Sequence, residues 1–247
     1  HYLDLFRCGE PYFSRKGSGS ITDFAETYWR NYQQTNGKGL ICIPSGNHDM
    51  PRLSHYLDLE EEKLVFAFLL TMPGAPFVYY GDEIGMRYLE GLTSVEGGFE
   101  RTGARSPMQW DHTVNAGFST AAQERLYIAM DPSAHRPTVE NQSAEPGSLY
   151  HEIKKLIQVR LANEPLQSNA AFEFLCAKDH QPLVYKRTGK TGSVIVAINP
   201  VDAPASCQVN ESGFDQVLYS YHGQAALENG VLSLPPCSAT ILTQKAK

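Results

Sequence analysis

The sequence predicts an α/β region followed by an all-β one, and three observations carry that expectation. Short apolar runs alternate with helical patterns over the first two-thirds of the chain. Those runs are apolar on both faces, as in strands of a parallel sheet covered on each side. From about Ala170 the pattern changes to short β-rich segments separated by Gly, Pro and Asn, as in a small antiparallel β-sandwich. The change sets an expected boundary near residues 165 to 170.

The elements follow in order. Asp23 to Gln34 reads as a helix rich in aromatics (Phe24, Tyr28, Trp29, Tyr32) and stopped by Asn36-Gly37. The apolar run Leu40-Ile41-Cys42-Ile43 is halted by Pro44 and leads into a polar loop from Ser45 to Arg52. A second helix begins in the acidic turn Glu60-Glu61-Glu62, which suits the positive end of a helix dipole, and stops at Pro73-Gly74. Phe77-Val78-Tyr79-Tyr80 is strand-like, residues 85 to 119 form a long loop, and Leu149 to Arg160 is an amphipathic helix. The β-rich segments are 182–187, 193–199, 216–221 and 238–243.

Bulk properties exclude several classes. The 247 residues are 42% hydrophobic and 19% charged, enough apolar material for one large or two smaller domains. The net charge of -6 comes from residues of both signs scattered along the chain, with no basic stripe for nucleic acid or anionic membrane. No apolar run approaches the roughly 20 residues that cross a bilayer. Five dispersed cysteines without a C-x-x-C pair argue against a disulfide framework or structural zinc, and make a cytoplasmic setting the expectation. The opening His1-Tyr2-Leu3-Asp4 has neither Met nor a signal-peptide pattern, which decides nothing about export.

The loop Ser45-Gly46-Asn47-His48-Asp49-Met50-Pro51-Arg52 follows a predicted strand, the end of a parallel sheet where ligands bind. It gives one carboxylate two close cationic or hydrogen-bonding partners, a set able to hold sugar hydroxyls and oppose developing positive charge. A structural loop with Asn and Asp capping turns is the competing reading.

Asn47-His48-Asp49, followed by Arg52, resembles the strand-7 motif of the α-amylase family, glycoside hydrolase family 13. The segment Gly74-Ala75-Pro76-Phe77-Val78-Tyr79-Tyr80-Gly81-Asp82-Glu83-Ile84-Gly85 looks like its strand-8 motif. Ala104-Arg105-Ser106-Pro107-Met108-Gln109-Trp110-Asp111, continued by Asn115-Ala116-Gly117-Phe118, is similar to a segment of its oligo-1,6-glucosidase, α-glucosidase, sucrose isomerase and trehalose synthase branch. The motifs stand in family order, and the resemblance runs less sharply into the β-rich tail.

The resemblance implies retaining hydrolysis or transfer at an α-glucosidic bond, with two carboxyl groups about 5 Å apart as nucleophile and acid/base. A third carboxylate stabilises the oxocarbenium-like transition state. By motif match Asp49 is that third carboxylate, His48 a donor to the same sugar, Arg105 a closer of the glucose pocket, and Arg52 a residue lining the pocket or its acceptor side. A salt bridge orienting its own loop is the alternative for Arg105, and equally for Arg52. Asp82 and Glu83 are adjacent at a strand end and point apart, so they are not expected to act as a pair. Trp110 and Tyr79 are expected to pack. No cofactor is implied, and no metal, since His55, His112, His135 and His151 lack ligand spacing.

The family's Gly-x-Arg-x-Asp nucleophile motif and acid/base Glu have no counterpart here. A full (β/α)8 barrel takes about 250 residues, whereas about 165 precede the β-rich tail. The implied architecture is therefore the C-terminal part (units 6–8) of a TIM barrel over 1–167, with the upstream strand around Tyr2 to Phe6, and an antiparallel β-sandwich domain over 168–247. The implied substrate is an α-glucoside oligosaccharide, and the implied partner is the N-terminal part of the same enzyme, without which the isolated chain is expected to be inactive. The rivals are a transglycosidase or isomerase of trehalose synthase or sucrose isomerase type, and a non-catalytic carbohydrate-binding or scaffold relative.

Overall fold

The computed structural model describes residues 2–98 and 100–244. Helix α1 (Thr22–Thr35) buries Phe24, Ala25 and Tyr28 and ends where Asn36 takes the left-handed conformation, its N–H bonding Gln33 O. Strand β1 (Cys42–Pro44) follows. Helix α2 (Leu59–Thr71) opens with a capping box: Asp58 accepts from the Glu60 and Glu61 amides, and Glu61 accepts from the Asp58 amide. Eleven of its 13 residues are buried, so α2 is a central helix rather than an amphipathic surface one. Gly74 stands behind it at φ 93°, where a Cβ would meet Ile41 O at 1.9 Å.

Strand β2 (Ala75–Phe77) pairs parallel with β1 in the register Cys42↔Ala75, Ile43↔Pro76, Pro44↔Phe77. The sequence places this strand at 77–80, two residues downstream. The ladder ends early because the chain turns after β1: the Ser45 amide bonds Phe77 O, and the next free amide, Tyr79, goes to Ser45 Oγ at 2.9 Å. The segment Tyr2–Leu5 forms a 3-10 turn instead of the expected strand, and Leu5 O accepts from the Phe13 amide at 3.2 Å.

The long segment after β2 holds a two-residue hairpin, β3 (Thr93–Ser94) and β4 (Gly97–Gly98), and several 3-10 turns. Arg87 anchors it to buried Asp131 through Nε, 2.9 Å from Oδ2. Short helix α3 (Val139–Ala144) is capped by Thr138 and helix α4 (Leu149–Ala162) by Ser148. Buried Arg160 of α4 donates to Leu70 O, Met72 O and Gly74 O, taking up carbonyls that the end of α2 leaves unpaired.

The remaining strands are β5 (Ala171–Cys176), β6 (Leu183–Thr188), β7 (Ser193–Asn199), β8 (Ala205–Gln208), β9 (Phe214–Tyr221), β10 (Ala226–Glu228), β11 (Val231–Leu234) and β12 (Ser238–Gln244). They form a five-stranded antiparallel sheet, order β5-β6-β7-β12-β9, and a three-stranded one, order β10-β11-β8. Val184, Ile195, Ala197 and Leu242 of the first sheet pack on Leu232 and Leu234 of the second. The other face of the large sheet, through Tyr185, Val196, Ile198 and Ile241, shares one core with Phe24, Phe66, Phe68 and Leu156 of the helices. The α/β and all-β parts are thus joined by a continuous apolar core. Arg187 of β6, wholly buried, strengthens the joint by donating to Gln167 O at 2.6 Å and Thr71 O at 2.5 Å.

Candidate functional site

The loop after β1 carries the candidate chemistry. Asn47 Oδ1 accepts from the Asp49 amide at 2.8 Å, an Asx turn that lifts the Asp49 side chain outward, where it is 50% exposed. Arg105 Nη2 donates to Asp49 Oδ1 at 2.9 Å, and Arg105 Nε donates to His48 O at 2.8 Å. His48 Nε2 lies 3.2 Å from Asp49 Oδ2, and Arg101 Nη1 lies 3.3 Å from Oδ1. Asp49 and His48 therefore meet Arg105, 56 and 57 positions further along the chain. Arg101 was not singled out from sequence. Its signal is the spacing Arg101-x-x-x-Arg105, which puts two guanidinium groups beside one carboxylate.

Arg52 is not in that group. The expectation that it lines the pocket meets a side chain of 0% exposure lying beneath the loop. Its Nη1 donates to Tyr80 O at 2.6 Å and Asp82 Oδ1 at 3.2 Å, and its guanidinium faces the Tyr79 and Tyr80 rings at 5.1 and 4.9 Å. Buried there, it joins the ends of the two strand loops and meets no solvent.

Asp82 is the centre of this lower layer. It accepts from Ser45 Oγ at 2.7 Å and from Arg52, and Arg7 Nη2 stands 3.4 Å from Oδ2. Arg7 Nε also donates to Ser45 O at 2.9 Å. Burial pushes the Asp82 carboxyl above its ordinary range, against the pull of Arg52 and Arg7. Glu62 of α2, close to the same charges, is raised well above the usual carboxylate range, first by burial and then by Asp82. Both its oxygens lack a hydrogen-bond partner among the described residues.

Asp82 and Glu83 diverge: Asp82 points down into the layer with Arg7 and Arg52, while Glu83 lines a neighbouring cavity of about 370 Å³. Burial pushes the Glu83 carboxyl up as well. Arg105, Met108, Trp110, Phe118 and Tyr127 form much of the cavity wall. Trp110 is half exposed on that wall. The turn holding it is pinned by its own backbone, through Trp110 N–H to Ala116 O at 2.8 Å. Among the described residues, no three His, Cys, Asp or Glu side chains gather as a metal site would require.

The alpha amylase catalytic-domain family matches residues 14–169, more than half of the chain. The oligo-1,6-glucosidase of Parageobacillus thermoglucosidasius is 28% identical over 208 residues, covering 70% of this chain and 36% of that protein. The trehalose synthase/amylase TreS of Mycobacterium tuberculosis is 36% identical over 156 residues, covering 60% of this chain and 25% of that protein. The chain thus spans roughly a quarter to a third of the length of these relatives. In fold it is similar to the trehalulose synthase MutB of Pseudomonas mesoacidophila, with a TM-score of 0.78 at 23% identity over 92% of this chain and 47% of that one.

Proposed function

The chain belongs to the α-amylase family, and from that premise we propose that it supplies the strand-7 and strand-8 part of the active site of a retaining enzyme acting on α-glucosidic bonds. The observation that carries this reading is Asp49, a half-exposed carboxylate at the end of β1, paired to Arg105 and flanked by His48. On this reading Asp49 faces the positive charge that develops at the anomeric carbon and the ring oxygen of the glucosyl unit. His48 donates to a hydroxyl of the same sugar, and Arg105 holds Asp49 oriented while closing the pocket. Arg101 adds a second cation on the same carboxylate. The nucleophile and acid/base carboxyl groups, about 5 Å apart in a retaining enzyme, come from outside these motifs.

The same reading takes residues 1–167 as the C-terminal part of a (β/α)8 barrel, units 6–8, and residues 168–247 as a β-sandwich domain. The parallel β1–β2 pair joined through α2 supports it, as does the antiparallel two-sheet arrangement after Ala171.

The test is Asp49→Asn, which keeps shape and removes charge, in a polypeptide joining this chain to a Gly-x-Arg-x-Asp strand and an acid/base Glu. Assayed on α-1,4 and α-1,6 glucosides, kcat is expected to fall on the order of a thousandfold with little change in KM. Turnover by the 247-residue chain alone that depends on Asp49 would sink the reading of a shared site.

A transferase or isomerase outcome is favoured by one observation. The cavity beside Arg105 is walled by Trp110, Phe118 and Tyr127, an apolar surface that disfavours water as acceptor. Product analysis with sucrose and maltose separates the two: isomerised disaccharide marks transfer, whereas free monosaccharides without it (glucose and fructose from sucrose, glucose from maltose) mark hydrolysis.

A further inference from the structure

We propose that Asp82 is a positioning residue, clamping both ends of the 45–52 loop so that Asp49 is held at its working place. The inference rests on the reading of Asp49 given above. The loop leaves β1 at Ser45 and rejoins regular structure just after Arg52, at the turn Leu53–His55. At the first end, Ser45 Oγ donates to Asp82 Oδ2 at 2.7 Å and accepts from the Tyr79 amide at 2.9 Å. Arg7, coming from the N-terminal segment, holds Ser45 O through Nε at 2.9 Å and reaches Asp82 through Nη2 at 3.4 Å. At the second end, Arg52 Nη1 donates to the other oxygen, Asp82 Oδ1, at 3.2 Å and to Tyr80 O at 2.6 Å. One carboxylate therefore holds the loop at positions 45 and 52, using one oxygen for each end.

The layer tolerates little change. A Cβ on Gly46 would stand 2.3 Å from Arg7 Nη2 and 2.9 Å from Asp82 Oδ2, so glycine is needed for the chain to cross above the clamp. One on Gly81 would stand 3.0 Å from Arg52 Nη1 and 2.3 Å from Met86 Sδ, at a φ of 85°. Ser45, Arg52 and Asp82 are all wholly or almost wholly buried, whereas Asp49 above them is half exposed. Among the described residues, Arg105, Arg101 and His48 hold the half-exposed Asp49 side chain and Asn47 Oδ1 holds its amide, so the place of this turn depends on what lies below. Displacement of a reacting group by about 1 Å costs on the order of a hundredfold in rate.

The experiment pairs hydrogen–deuterium exchange on the full 247-residue chain with kinetics of the joined enzyme described above. Asp82→Asn is expected to speed amide exchange in 45–52 by about tenfold, while exchange in α4 and β7 stays as in the unsubstituted chain. Ser45→Ala breaks one end only, and it is expected to give a smaller rise confined to the same segment. The two together are expected to be less than additive, since both act through one carboxylate. In the enzyme, Asp82→Asn is expected to lower kcat per folded molecule about a hundredfold with KM changed less than about threefold. If Asp82→Asn fails to fold, Ser45→Ala decides by the same localised rise. Unchanged exchange in 45–52, or a rise spread evenly over the chain for Ser45→Ala, overturns the clamp. If the unsubstituted joined enzyme shows no turnover, the functional reading fails, and exchange still decides whether the clamp exists.

Discussion

Strand β7 and the run leading into β1 are similarly apolar and meet opposite fates. Ser193–Asn199 carries Val194, Ile195 and Val196, and Leu40 to Ile43 is just as apolar. Yet β7 is laddered on both sides, to β6 and β12, and its positions after Ser193 are all buried. Strands β1 and β2 are three residues each and form a two-stranded sheet. Leu40 and Phe77 on that sheet's approach and end are 53% and 59% exposed. Apolar character fits a segment for burial, but burial needs something on the other side. For β7 both faces are supplied, by α2 on one side and the small sheet on the other.

Substitutions on the two regions sharpen this contrast. The largest effect is expected at Ile198→Ala in β7, whose side chain lies in the core shared with the helices. Urea unfolding should show a loss of about 2–5 kcal/mol, the range for emptying a packed aliphatic site. A loss under about 1 kcal/mol would mean that the shared core yields easily and that the two parts are only loosely joined.

An intermediate effect is expected at Glu62→Gln beneath the candidate site, and it depends on pH. Burial raises the folded pKa of Glu62 above its ordinary 4.5, so the stability it contributes is complete below that pH and is lost as pH rises toward the folded value. Glutamine keeps the neutral form at every pH. Between pH 4.5 and 7.5 the variant should therefore gain on the unsubstituted chain by about 1 kcal/mol or more, one unmatched pH unit being worth about 1.4 kcal/mol. Thermal melts at the two pH values that shift in parallel would show Glu62 to be free of that strain.

The smallest effect on stability is expected at Phe77→Ser. Its exposed ring contributes little to folding, so the change should stay within about 0.5 kcal/mol while self-association, read by light scattering, decreases. A loss as large as that of Ile198→Ala would erase the contrast between the regions.

Legibility from sequence followed the range of the interactions involved. Helices α1, α2 and α4 were readable nearly to the residue because their ends are made locally, by Asn36, by Asp58 with Glu61, and by Ser148. The long strands β7 and β12 were readable from β-branched runs. Strands β8, β10 and β11 have three or four residues each and exist through pairing with one another, so their composition carried little signal. Strand β2 was displaced by two residues because Ser45, just past the end of β1, ends its ladder. At the site, Asp49, His48 and Arg105 were legible through motifs. Arg52 was assigned to the pocket by the same motif but is held beneath it by Asp82 and Tyr80, contacts spanning 28 to 30 positions.

The sequence by itself determined the three long helices, where β-rich structure begins, the family likeness, and which carboxylate and arginine are candidates for chemistry. Caps, periodicity and short motifs are local and survive without a partner. Only the tertiary structure decided that Asp49 meets two arginines, that Arg52 and Asp82 form a buried layer below it, and that one apolar core joins both parts. Those outcomes depend on which groups lose water together, and that is set by packing between segments far apart in the chain.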